Sequence, residues 1–132
     1  MQTSERIRNF YDHYLARDFE TVMALVDDDA TFRWMANAED TGAFSGIASG
    51  KAAFHERLLA LDDAFEYVRL DIVDLIVQDE RAAVQIIFTL RRRSDGPEFE
   101  MPIAGFWRMR DGRLVDYVEY YDTARGARIL VG

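Results

Sequence analysis

Cysteine is absent from the 132-residue chain. Its absence excludes disulfides, thiol nucleophiles and thiolate metal sites. Histidine occurs only as His13 and His55, and neither belongs to the helical HxxxH or HExxH spacing of a zinc site. The run Asp27-Asp28-Asp29 lacks the spacing of an EF-hand loop and reads as a helix-end turn. The chain is therefore expected to carry no metal and no cofactor. Gly-x-Gly-x-x-Gly and Walker-type phosphate loops are missing, as is a Gly-x-Ser-x-Gly nucleophile elbow. No apolar run nears the roughly 18 residues of a membrane-spanning helix, and the N-terminus shows no apolar signal core. These features predict a cytoplasmic protein.

Basic charge is also in deficit. Sixteen Lys and Arg residues face 24 Asp and Glu, a net charge of −8. Nucleic-acid binding depends on neutralising phosphates, and anionic membranes likewise recruit basic surfaces. Neither partner suits this chain. The basic triplet Arg91-Arg92-Arg93 reads as a solvated strand end.

What is present suits one domain over residues 1–132, because a 49% hydrophobic content fills a core without cross-links. Ile7, Phe10, Tyr11, Tyr14 and Leu15 form one helical stripe, with Thr3 or Ser4 as cap. His13 lies off the stripe, on the solvent side. Asp18 caps a second helix carrying Phe19, Val22, Met23 and Val26. A short strand follows over 30–35. Residues 36–50 are small, polar and glycine-rich and read as a loop, in which Gly42, Gly46 and Gly50 suit a mobile lid. Ser49 can cap a third helix through Asp62, with Phe54, Leu58 and Leu61 on one face and His55 at its surface.

The pattern then turns to strands at 67–77, 82–92, 99–110 and 114–122. Ser94-Asp95-Gly96-Pro97 and Arg110-Asp111-Gly112-Arg113 each contain the Asp-Gly of a tight hairpin, and Gln78–Arg81 supplies the turn before them. Helices first and a strand meander afterwards predict an α+β fold. Strand 82–92 is apolar on both faces: Val84, Ile86, Phe88 and Leu90 on one, and mostly apolar Ala83, Gln85, Ile87 and Thr89 on the other. Helices cover one face. A second copy of the chain is the simplest cover for the outer one, giving a homodimer.

The segment from Gly105-Phe106-Trp107-Arg108 through Asp111-Gly112-Arg113-Leu114-Val115, then Glu119-Tyr120-Tyr121-Asp122, resembles the SnoaL-like branch of the nuclear-transport-factor-2-like superfamily. Asp28-Asp29-Ala30-Thr31 adds to the likeness, which covers nearly the whole chain. It implies a cone-shaped, curved, mixed or antiparallel sheet packed barrel-like against three N-terminal helices, around a pocket for a small apolar molecule. In the related ketosteroid isomerases a tyrosine, an aspartate base and a second acid make the site. Their positions fall on Phe10, Trp34 and Ala104, so the resemblance speaks against that activity. In limonene-epoxide hydrolases the base position falls on Glu119, while the arginine–aspartate pair falls near Ile87 and Thr89 and is lost. Scytalone dehydratase and the polyketide cyclases use pocket histidines and aspartates, which neither His13 nor His55 can be matched to.

Strand alternation puts Glu119 on the same face as Tyr117 and Tyr121. On a concave face it would be a desolvated carboxylate among aromatics, the setting of a general acid or base. The alternative is a glutamate paired with Arg33 or Arg108, or one at the rim. Glu119 is thus the catalytic candidate, with Tyr14 as a second whose hydroxyl equally suits a structural hydrogen bond. Phe10, Trp34, Phe54, Leu58, Ala104, Phe106, Tyr117 and Tyr121 are the expected ligand-binding residues, Trp34 either stacking on a flat ligand or filling space. The expected function is small-molecule binding, with isomerase, cyclase or hydratase chemistry on a polycyclic, carbonyl or epoxide ligand; a non-catalytic ligand-binding or protein-interaction module is the alternative.

Overall fold

The computed structural model describes residues 1–93 and 96–131, and for Val131 the backbone only. Helix α1 (Thr3–Leu15) and the short α2 (Phe19–Ala24) lead into strand β1 (Val26–Trp34). The next segment holds α3 (Ala38–Thr41), a 3-10 turn (Gly42–Phe44) and β2 (Gly46–Ser49). Helix α4 (Lys51–Ala64) precedes β3 (Phe65–Gln78), β4 (Arg81–Arg92), β5 (Glu98–Arg110) and β6 (Arg113–Tyr121). The chain ends in α5 (Thr123–Gly126) and a π-turn, Ala127–Val131.

Local chemistry explains most boundaries and corrects several expectations. Asp18 caps α2 by accepting from the Thr21 backbone N–H at 3.2 Å, as a helix N-terminus requires. Helix α1 has no such cap. Gln2 occupies the N-cap position, and the Thr3 hydroxyl instead donates to the Asp79 carbonyl at 2.9 Å, fastening the helix to the β3–β4 turn. Helix α2 stops before Val26, so Asp27-Asp28-Asp29 lie within β1 rather than ending a helix. There the Asp27 carboxylate accepts from the Asp29 N–H, where pairing with β6 slips register. Ser49 closes β2 opposite Thr31, leaving Gly50, at a φ of 91°, as the α4 N-cap. That positive φ is accessible to glycine at little cost. Residues 36–50 are thus partly ordered, not one loop.

The six strands form one curved sheet in the order β2-β1-β6-β5-β4-β3. Strand β1 runs parallel to β6 and every other pair is antiparallel. The β5–β6 hairpin expected there turns at Asp111 and Gly112, with φ of 52° and 78°, the signature of a type I′ turn. The turn at Ser94-Asp95-Gly96-Pro97 falls partly outside the described residues.

The concave face carries the core. Phe32, Val84, Ile86, Phe88, Leu90, Met101, Ile103 and Trp107 are buried there against Ile7, Phe10 and Tyr11 of α1 and Phe54 and Leu58 of α4. A bulge near Val115 keeps both Leu114 and Tyr117 buried, although strict alternation would separate them. On the convex face one cross-strand row runs Ile47, Arg33, Val118, Phe106, Ala83, Ile76. Among the described residues, no helix is long and apolar enough to cross a membrane.

Candidate functional site

Helices α1 and α4, with the inner face of the sheet, enclose a cavity of about 100 Å³. Its lining includes eight of the ten residues singled out in the sequence: Glu119, Tyr14, Phe10, Trp34, Phe54, Leu58, Tyr117 and Tyr121. Ala104 and Phe106 are the exceptions. They alternate with Ile103, Gly105 and Trp107 and therefore point to the convex face, where Phe106 is 49% exposed and packs edge-on against Tyr120. The inward residues of β5 are Met101, Ile103 and Trp107.

Among the described residues, Glu119 is the only acidic side chain in the lining. It borders the cavity and so keeps some accessible surface, yet it is surrounded at the density of the interior. Burial raises its pKa and a hydrogen bond from Tyr117 lowers it, leaving it at about 7 against an ordinary 4.5. The Tyr117 hydroxyl donates to Glu119 Oε1 at 2.7 Å. The ion pair with Arg33 does not form, because Arg33 bonds Asp116 at 3.1 Å on the other face.

Three further aromatics frame this carboxyl. Trp107 Nε1 donates to the Tyr11 hydroxyl at 3.2 Å, a buried contact. Tyr11, Tyr14 and Tyr117 all have their phenol pKa raised, first by burial and further by the neighbouring Glu119 charge, so they remain protonated donors. Gly105 sits opposite Glu119 across β5–β6. A Cβ there would lie 2.7 Å from the Tyr117 hydroxyl oxygen and 2.8 Å from its ring, so the absent side chain gives Tyr117 its place. Among the described residues, no group of His, Asp and Glu converges as metal ligands. His13 contacts Asp18 at 3.2 Å, and neither histidine lines the cavity.

One wall is a strap made by residues 41–47. Phe44 reaches into the cavity. From inside, the Tyr121 hydroxyl donates to the Phe44 carbonyl at 2.5 Å and lies 3.0 Å from Thr41 Oγ1. From outside, Arg57 donates to the carbonyls of Ala43 and Ser45 while its guanidinium stands 5.0 Å from the Trp34 ring. The sequence pointed to the glycines of this segment but not to Phe44, a lone aromatic between Gly42 and Gly46. It also did not place Tyr11 and Trp107 at the site.

The isomerase-like positions can now be read in space. Phe10 and Trp34 do line the cavity, but Ala104 does not, and its inward neighbours carry no acid either. Tyr11 and Tyr14 bring helix-one hydroxyls to the same space. The hydrolase-like positions Ile87 and Thr89 are on the outer parity of β4, while Ile86 and Phe88 line the cavity.

Comparison with known proteins agrees with this architecture. The chain superposes on a nuclear-transport-factor-2-like protein of unknown function from Burkholderia pseudomallei with a TM-score of 0.88 at 20% identity, covering 100% of this chain and 99% of that one. A candidate isomerase from Rhodopseudomonas palustris gives 0.83 at 18% identity, covering 98% and 97%. A candidate polyketide cyclase from Xanthomonas campestris gives 0.78 at 15%, covering 97% and 96%. At such identities the likeness is one of fold. A search of curated proteins found no match. The family model of the SnoaL-like domain matches residues 7–117, from the first core residue of α1 to the tyrosine that bonds Glu119. The chain belongs to the SnoaL-like domain family.

Proposed function

We propose that this protein binds a small, mostly apolar molecule in the cavity and that Glu119 exchanges a proton with it. The observation that carries this reading is a carboxyl among aromatic rings, hydrogen-bonded by Tyr117 at 2.7 Å, whose burial pushes its pKa up to about 7. A group so poised gives and takes protons near neutrality, which suits isomerisation, cyclisation or hydration. Tyr11 and Tyr14 supply hydroxyls that can polarise a substrate oxygen. A cavity of about 100 Å³ is smaller than the ~150 Å³ that takes benzene. The part of the ligand that enters it is therefore smaller than a single aromatic ring.

A thermal-shift screen against small ketones, epoxides and lactones tests the reading. A ligand at a hundredfold excess over Kd adds about 2.7 kcal/mol. Glu119→Gln should abolish turnover while the fold is retained. Unchanged turnover would remove Glu119 from the chemistry. The second reading is a binding module without catalysis, favoured by the apolar residues at Phe10, Trp34 and Ile103. Binding with no exchange of substrate protons for deuterium would select it.

We also propose that a second copy of the chain covers the convex face. Phe106 and Ile76 are 49% and 64% exposed on the apolar part of the row, Val118 to Ile76, which Arg33 separates from the 57% exposed Ile47; such an exposed apolar run marks an interface. Cytoplasmic residence is part of the same proposal, on the absence of cysteine.

A further inference from the structure

We infer that the ligand of this cavity is a small alkylammonium cation, held between aromatic rings and the Glu119 carboxylate. The inference rests on the reading of the cavity as a ligand site and adds the sign of the ligand's charge. The first support is the charge inventory. Among the described residues, no lysine, arginine or histidine lines the cavity. The nearby arginines are engaged elsewhere: Arg33 holds Asp116, and Arg57 holds the strap carbonyls from outside. An anion entering the cavity would meet a like charge and no basic partner.

The second support is the wall itself. Phe10, Tyr14, Phe32, Trp107 and Tyr117 present π systems, whose faces attract ammonium groups most strongly where water is excluded; the Trp34 ring already carries the Arg57 guanidinium. The third is an open valence. Among the described residues, Tyr117 alone hydrogen-bonds the Glu119 side chain, and it does so at Oε1, which leaves Oε2 to accept from or pair with a cation. The fourth is size: about 100 Å³ admits a group of only a few heavy atoms.

Binding and ionisation are then linked. The titratable groups facing Glu119 are Tyr117 and Tyr121 on its own strand and Tyr11 and Tyr14 on α1. All four phenols are held above their ordinary pKa, so Glu119 alone titrates near neutrality. A cation selects the carboxylate and releases the proton. Its affinity should fall about tenfold per pH unit below the Glu119 pKa.

The test uses three probes of similar shape on the intact protein: tetramethylammonium, tert-butanol and pivalate. Binding is followed by the NMR shifts of the Trp34 and Trp107 indole N–H groups, above and below the Glu119 pKa. Above it, tetramethylammonium should bind at least about tenfold tighter than tert-butanol, and pivalate should be excluded. Below it, that preference should disappear. Glu119→Gln should abolish the preference at every pH. If tert-butanol binds as well as the cation, or the preference survives Glu119→Gln, the cation assignment falls while the ligand cavity stands. If pivalate binds best, the sign is reversed and the assignment falls. If none of the three perturbs either indole, both the cation assignment and the small-ligand cavity fall.

Discussion

At the scale of single residues, Glu119 opposes stability in order to be reactive. Its pKa is about 7 in the folded protein against an ordinary 4.5. Between those values the folded state binds more protons than the unfolded one, so stability present below pH 4.5 is lost as pH rises through 7. Glu119→Gln should therefore be more stable than the parent above pH 7, by on the order of 3 kcal/mol at most, and nearly equal in acid. Urea unfolding on either side of the window measures this; a variant less stable at high pH would show the carboxylate to be well paired. Tyr117→Phe removes the hydrogen bond that lowers this pKa, so carboxyl NMR should find Glu119 titrating still higher. Gly105→Ala drives a methyl group into the Tyr117 ring. It should cost about 1–3 kcal/mol and shift the Glu119 titration without touching that residue.

At the scale of elements, polarity contrast decided what the sequence could reveal. Strand β6 alternates tyrosine and glutamate with outward residues, so Glu119, Tyr117 and Tyr121 were correctly grouped on one face. Strand β5 is apolar on both faces around Ile103, Ala104 and Phe106, so nothing in its pattern says which set points inward, and Ala104 and Phe106 were turned the wrong way. Asp-Gly at 111–112 fixed a turn because its backbone demands it. The caps at Thr3 or Ser4 and at Ser49 failed because tertiary partners, Asp79 and Thr31, claimed those residues. The glycines at 42 and 46 marked the strap as a lid, but its order stayed hidden because it comes from distant donors, Tyr121 and Arg57. Tyr121→Phe should accordingly speed amide exchange across residues 41–45 while core strands exchange as before. Uniform acceleration would mean that Tyr121 supports the whole fold instead.

At the scale of the whole molecule, the exposed row on the convex face predicts assembly. Phe106→Arg should convert a dimer to a monomer in sedimentation experiments without changing the cavity behind it, since Phe106 and Trp107 point to opposite faces. A parent protein that already sediments as a monomer would dismiss the interface. The parallel pairing of β1 with β6 has another consequence. Arg33 and Asp116, joined across it, are 83 positions apart, so this seam pays the loop-closure entropy of most of the chain. During synthesis the helices can already pack on β3, β4 and β5, but the edge of the first strand that receives β6 stays unpaired until the final strand leaves the ribosome. The cavity is then among the last features of the molecule to come into being. A chain cut short before Tyr121 would lose the cavity wall and the pin of the strap together.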